Sequence, residues 1–454
     1  MDKLKLLKER RNKLLNATEN LRNAIDKIVD EKSFVEMDSY SFSHSDVYDQ
    51  DVAGEGVITG FATIGGYPFH IVAQNPDVLG GSVSLANCRK IVKCLKRASE
   101  RGVPVLYVLD SEGVRVGENV DVLEGMAEVL LESESLGNFT FSYVRGKLYG
   151  SMALLAASTH FSFMKKGSLV CYTSPVVLSS KEKNVPPVDE VAGAASAKYN
   201  NIASFEVEDE LELREHILKI NSILMPEEMS SDDYNRDCPV LDEACNASNI
   251  IEHVFDKDAS VELNSFCEPD VKTVIARLGD YSVASIVFDG GEEGVELNLQ
   301  KVLKINDFLS FVEEHGLPLL LFVNNLGIKS ELSVSNTMIL KALKDTSNYL
   351  GRLRTISVIY GKAVGLGYIL FASKGLGRKY VFAFPDAVVG LFAGKMSSIA
   401  YGKIDETKLA EMEKKYNDEF ADPMNAAKNG YVDNIIEPAH VRSYLLAVLQ
   451  MVED

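Results

Sequence analysis

The sequence predicts an α/β protein built as two tandem copies of one unit, and three observations predict it. The chain has 454 residues, too many for one hydrophobic core and enough for two domains of about 200 residues each. The run Ile28 to Asp38 is echoed position by position by Val254 to Asn264, and the segments that follow are echoed in the same order. Within each copy strand-like runs alternate with amphipathic helical runs, which demands crossover connections and mostly parallel pairing.

The elements follow from local pattern. Val57 to Thr63 and Tyr67 to Ala73 flank Ile64-Gly65-Gly66 and read as a β-hairpin; Thr273 to Leu278 and Tyr281 to Val287 around Gly279-Asp280 read the same way. Helical spacing comes next, through Ile91, Leu95 and Ala98 in one copy and Leu299, Val302, Leu303 and Phe308 in the other. A buried strand follows each helix, at Val103 to Leu109 and Leu317 to Val323. A further helix leads to strands at Phe139 to Val144 and Thr355 to Tyr360. Each of these ends in a glycine-bearing turn and a small-residue helix, Gly146-Lys147-Leu148-Tyr149-Gly150-Ser151 and Gly361-Lys362-Ala363-Val364-Gly365-Leu366-Gly367. Met225 to Asp233 is polar and turn-rich. The first domain is expected over residues 1–225, a linker over 226–244 and the second domain over 245–454.

Composition narrows the function classes. A net charge of −19 repels phosphate backbones and argues against nucleic acid as a partner. The N-terminal Lys/Arg/Leu-rich run reads as a surface helix and not as a secretory signal, and no apolar run is long enough to span a bilayer. The six cysteines form no Cys-x-x-Cys pair, so reduced thiols and a cytoplasmic location are expected. No metal-ligand spacing, nucleophile elbow or phosphate-binding loop is present.

The two strand–glycine–helix junctions are the candidate chemical sites. A helix start leaves N–H groups unpaired and partially positive, and glycine lets another group come close. Such a junction holds an oxyanion without a charged side chain, although the same pattern also serves as plain turn chemistry.

Several stretches carry a family resemblance. They are Gly54-Glu55-Gly56-Val57-Ile58-Thr59-Gly60, Gly80-Gly81-Ser82-Val83-Ser84, Asp110-Ser111-Glu112-Gly113-Val114-Arg115, Phe420-Ala421-Asp422-Pro423, and Ala426 through Pro438. With the two-copy layout, they make the chain similar over nearly its whole length to the carboxyltransferase subunits of biotin-dependent acyl-CoA carboxylases and decarboxylases, of the propionyl-CoA carboxylase beta type. The resemblance implies two crotonase-like (ClpP/crotonase) spirals of β-β-α units. It implies an enzyme that moves a carboxyl group between carboxybiotin, held by the second domain, and the carbon α to a coenzyme A thioester held by the first. Backbone N–H pairs would stabilise both enolates, at Gly150 and Ser151 on the acyl side and at Leu366 and Gly367 on the biotin side. Gly80, Gly81, Ser82, Asp110, Arg115, Lys147, Gly365 and Lys362 are the candidate substrate-binding positions, and no metal is expected. Asp110, Arg115, Lys147 and Lys362 equally suit turn and ion-pair roles.

The chain has no Met-Lys-Met biotinylation sequence, since Met164-Lys165-Lys166 continues into glycine. Biotin is therefore expected on a separate carrier protein, with biotin carboxylase or decarboxylase subunits as further partners. The family implies a homo-oligomer, dimer to hexamer. Departures from the family pattern fall at the junctions: Tyr149, Ser151 and Met152 replace small residues, Glu112 replaces a glycine, and Asn325-Leu326-Gly327-Ile328 lacks a proline. Tyr149 and Met152 are expected to crowd a thioester. Gly394 with Ser397-Ser398 reads as helix packing. The alternative to an active enzyme is a catalytically weak structural paralogue that pairs with an active carboxyltransferase chain.

Overall fold

A computed structural model describes residues 3–41, 52–181, 187–329, 335–393 and 409–452. Ser397 and Ser398 lie outside the described residues. Met1–Leu218 and Lys219–Asp454 form two compact units. The stretch 226–244 is built into the second: Cys238 and Leu241 are buried, and Ser230 and Tyr234 donate to Asp256 and Asp280.

Unit 1 carries strands β1 (Val35–Met37), β2 (Val57–Ile64), β3 (Tyr67–Gln74), β4 (Val105–Ser111), β5 (Thr140–Tyr149), β6 (Phe161–Lys165), β7 (Leu169–Cys171) and β8 (Phe205–Val207). The sheet order is β1-β2-β3-β4-β5-β6-β8, with β7 on β5. Pairing is antiparallel through the β2–β3 hairpin and parallel from β3 onward, as crossover connections require. The crossovers are α1 (Leu85–Arg101) and α2 (Val120–Glu134); α3 (Ser151–Ala157) follows β5, and α4 (Glu210–Leu224) closes the unit. Ile91, Leu95 and Ala98 of α1 are fully buried against the sheet, as their spacing predicts.

Unit 2 repeats the plan with β9 (Ser260–Leu263), β10 (Val271–Leu278), β11 (Tyr281–Phe288), β12 (Val295–Leu297), β13 (Leu319–Ile328), β14 (Thr355–Val364), β15 (Tyr380–Ala383), β16 (Val388–Gly390) and β17 (Asn434–Ile435). Its order is β17-β15-β14-β13-β11-β10-β9, with β12 on β13 and β16 on β14. Helices α5 (Leu299–Glu314), α6 (Ser335–Arg352) and α7 (Leu366–Phe371) correspond to α1, α2 and α3; α8 (Leu409–Tyr416) and α9 (Val441–Val452) come last.

The physical cause of the sequence echo is visible. Asp30 accepts N–H bonds from Gly65 and Gly66 in the β2–β3 turn and pairs with Arg214 of α4, while Arg214 also donates to the Ile28 carbonyl. Its echo Asp256 accepts from Gly279 in the β10–β11 turn and pairs with Arg442 of α9, which donates to the Val254 carbonyl. One carboxylate thus ties hairpin and closing helix together in each unit. The buried Lys90 and Lys304 are a second repeated device, each donating to carbonyls of the loop entering its hairpin. Burial lowers both ammonium groups to about 8.

Burial alone would raise the Asp30 carboxyl; Arg214 and the turn N–H groups outweigh it and hold the group well below the usual carboxylate range. A depressed folded-state value stabilises the fold above the unfolded carboxylate range and is lost as pH falls through the folded value. Asp30→Asn is expected to destabilise the chain by about 1–2 kcal/mol at pH 7. Urea unfolding at neutral and acidic pH checks this, the gap between wild type and variant narrowing in acid.

Candidate active site

The long strands β5 and β14 each pair with two partners in succession. The first half of β5 pairs with β6 and its end, Lys147 to Tyr149, with β7; the first half of β14 pairs with β15 and its end, Lys362 to Val364, with β16. This bend carries each strand past its neighbour and delivers a helix start at its tip. Gly150 caps α3 with φ 71° and ψ −141°, and Gly365 caps α7 with φ 53° and ψ −121°. Both glycines occupy the equivalent place, in a backbone region that L side chains rarely enter.

The N–H of Gly150 is taken by the Tyr172 carbonyl at 3.0 Å, and that of Gly365 by the Gly390 carbonyl at 3.0 Å. Gly150 is expected to offer its own N–H to a ligand; here that N–H is shared between the Tyr172 carbonyl and the Cys171 carbonyl at the end of β7, 3.3 Å away. The next donors along are those of the first two helical residues, which have no intrahelical acceptor: Ser151 and Met152 in unit 1, Leu366 and Gly367 in unit 2, with no backbone acceptor among the described residues. Gly327 packs against the second pair, since a Cβ there would lie 3.5 Å from the Leu366 nitrogen and 3.6 Å from that of Gly367, so glycine keeps a side chain off these amides. The Ser151 hydroxyl beside the first pair is buried without a partner among the described residues. Met152 is fully buried in the unit 1 core and Tyr149 is 7% exposed. Met152 is thus taken up by the core, while the Tyr149 phenol lies close to Asp110, Glu112 and Cys171 at the strand end.

The strand end facing each helix start is organised by side chains that sequence reasoning did not pair. The β4–β5 ladder shifts register between Leu109 and Ser111, and the β13–β14 ladder between Val323 and Asn325. At these irregularities Asp110 accepts the Lys147 N–H at 3.1 Å and Asn324 accepts the Lys362 N–H at 3.0 Å. A side-chain oxygen stands in for the missing ladder acceptor in both units. Gly146 and Gly361 must be glycine, since a Cβ would lie 2.3 Å from the Asp110 carboxylate and 2.5 Å from the Asn324 amide oxygen. One position on, Ser111 Oγ accepts from Gly113 N–H and Asn325 Oδ1 from Gly327 N–H. Aligning Asp110-Ser111-Glu112-Gly113 with Asn324-Asn325-Leu326-Gly327 would have exposed the match.

The other candidates fall into two groups. Gly80, Gly81 and Ser82 lie against the end of β4: the Gly80 carbonyl accepts the Glu112 N–H at 3.0 Å, and a Cβ on Gly81 would lie 2.0 Å from the Asp110 carbonyl oxygen. Lys147 is exposed and pairs with Glu112 at 3.5 Å, so Glu112 is partly neutralised there. Lys362 reaches the Glu293 carbonyl at 3.4 Å. Burial pushes the Asp110 carboxyl up, against the Lys147 N–H and the charges of Arg145 and Lys147. Arg115 takes up the ion-pair alternative. It is buried in a 2.7 Å ion pair with Glu55, whose carboxylate also accepts from Ser84, and its Nε donates to Ser82. This arginine ties the Gly54–Gly56 turn to the Ser82–Ser84 segment.

Comparison with known proteins gives the family and the fold. The carboxyl transferase domain family matches residues 16–454. The methylmalonyl-CoA decarboxylase subunit alpha of Veillonella parvula is 28% identical across 95% of this chain and 89% of that protein. The propionyl-CoA carboxylase beta chain of Roseobacter denitrificans is 27% identical across 93% of this chain and 88% of that protein. The crystal structure of transcarboxylase 12S, a hexamer with methylmalonyl-coenzyme A and methylmalonic acid bound, matches with a TM-score of 0.89 at 22% identity, covering 98% of this chain and 94% of that one. The fold is the crotonase-like one that the family resemblance implies.

Proposed function

The chain belongs to the carboxyl transferase domain family, and from that membership we propose that it moves a carboxyl group between biotin and the carbon α to an acyl-CoA thioester. The observation that supports this most is the duplicated helix start: two equivalent glycine caps, each followed by a pair of open backbone donors. Each enolate oxygen would sit against one pair, Ser151 and Met152 for the thioester and Leu366 and Gly367 for the ureido oxygen of biotin. Fixed donors of this kind stabilise developing negative charge without reorganising. As the family resemblance implies, biotin itself would handle the exchanged proton. Gly80 to Ser82 and Lys147 border the acyl side, and Lys362 borders the biotin side.

Biotin would arrive on a carrier protein, with a biotin carboxylase or a decarboxylase supplying or consuming the carboxyl group. No helix among the described residues is long and apolar enough to cross a membrane. The test incubates the purified chain with methylmalonyl-CoA or malonyl-CoA and free biotin and follows formation of propionyl-CoA or acetyl-CoA. Turnover that requires biotin is expected. No turnover with either thioester, together with no thioester binding by calorimetry, would leave the scaffold reading standing.

A homo-oligomer is proposed as the working form. Leu154 and Tyr172 beside the first helix start are 50% and 73% exposed, and the equivalent Ile369 and Leu391 beside the second are 52% and 66% exposed. Apolar surface repeated at both sites calls for cover. Light scattering is expected to give a dimer or larger; a monomer mass at micromolar concentration contradicts it.

A further inference from the structure

We propose that Tyr416 is a positioning residue for the second helix start, acting through the strand end beside Gly365. The inference rests on the assignment of that site to biotin. Tyr416 is the last residue of α8 and is 5% exposed. Its hydroxyl accepts two backbone hydrogen bonds, from Leu391 N–H at 3.2 Å and Phe392 N–H at 3.3 Å. These residues directly follow β16, whose terminal Gly390 carbonyl holds the Gly365 N–H at 3.0 Å. The Leu391 carbonyl oxygen lies 3.6 Å from where a Cβ on Gly365 would be. One phenol oxygen therefore holds the segment that holds the cap of α7, and through it the aim of the Leu366 and Gly367 amides.

Two independent features point the same way. Gly390 is glycine because a Cβ would lie 3.0 Å from the Ala421 Cβ and 3.2 Å from the Tyr416 hydroxyl, so that oxygen packs directly on the strand end. The chain leaves Tyr416 through a π-helical turn, Asn417–Ala421, before Asp422 caps the next helix by accepting the Met424 N–H. A π turn widens the helix and re-aims the residues on either side of it, at a cost kept where placement matters. In unit 1 the equivalent loop is held differently, by the Cys171 thiol donating to the Thr173 carbonyl at 3.2 Å. Among the described residues this tyrosine bond is found at the second site, where small shifts of a donor pair weaken charge stabilisation steeply.

The test is Tyr416→Phe, which keeps the ring and removes the acceptor. Hydrogen exchange of the peptide spanning residues 388–393 is compared with wild type, and KM is measured separately for free biotin and for methylmalonyl-CoA. Faster exchange at Leu391 and Phe392, with a biotin KM raised about tenfold and an unchanged thioester KM, is the expected result. Unchanged exchange overturns the positioning role. An equal rise in both KM values overturns its confinement to the second site. Should the wild-type chain transfer no carboxyl group, the functional assignment fails by itself, and the exchange measurement still decides whether Tyr416 holds the strand end.

Discussion

Gly150→Val lowers carboxyl transfer by at least about 10²-fold while the chain stays folded. The loss of an oxyanion donor costs about 10²–10³ in rate, and this substitution misplaces two of them. A Cβ at Gly150 meets nothing within 4 Å, so no core contact is displaced. The strain comes from φ 71°, a conformation that costs a β-branched residue about 1–3 kcal/mol. The chain relieves it by rotating the peptides around Gly150. That breaks the bond to the Tyr172 carbonyl and turns the Ser151 and Met152 N–H groups away from the thioester. Initial rates with methylmalonyl-CoA and free biotin, alongside a thermal melt, check the prediction. Wild-type rates in Gly150→Val would sink the assignment of this junction.

Gly367→Ala is expected to damage both stability and activity, and for a different reason. A Cβ there would lie 2.3 Å from Asn325 Oδ1 and 2.7 Å from the Asn325 backbone oxygen. The side-chain oxygen cannot yield easily, because it holds the Gly327 N–H at 2.8 Å. Helix α7 and strand β13 must therefore separate, at the cost of about 1–3 kcal/mol typical of overpacking. The Leu366 and Gly367 amides move with the helix, so the biotin-dependent rate falls about 10²-fold or more. The equivalent position in unit 1 accommodates Met152, facing the small Ser111 in place of Asn325. Volume has been exchanged between the two facing positions. A melting temperature and a biotin-dependent rate both at wild-type values would show that β13 yields without consequence.

The two copies, the hairpins and the glycine caps were legible because periodicity and turn chemistry are local. Alternating apolar residues place a strand, and a residue that must adopt positive φ is nearly always glycine, so Gly150 and Gly365 announce themselves in one dimension. Family membership was legible too, since Gly80-Gly81-Ser82 and the Ala426 to Pro438 stretch keep their type, order and spacing. The echo of Asp30 in Asp256 was visible, but its cause was not, because Arg214 and Arg442 lie far along the chain from the carboxylates they meet. Asp110, Arg115 and Lys147 looked alike as polar residues near a turn. Only burial separates them: Arg115 is sealed against Glu55, Asp110 is spent on a strand N–H, and Lys147 stays in solvent.

What the sequence by itself determined is therefore the duplication, the order of elements, the family and the two junctions. The tertiary structure alone decided which amides are open. Whether an N–H is free depends on whether a carbonyl from another strand reaches it. The short β7 and β16 strands arrive from later in the chain to claim those of Gly150 and Gly365. That choice passes the open donors to Ser151 and Met152 and to Leu366 and Gly367, because a helix start offers only the N–H groups that no neighbouring strand has already taken.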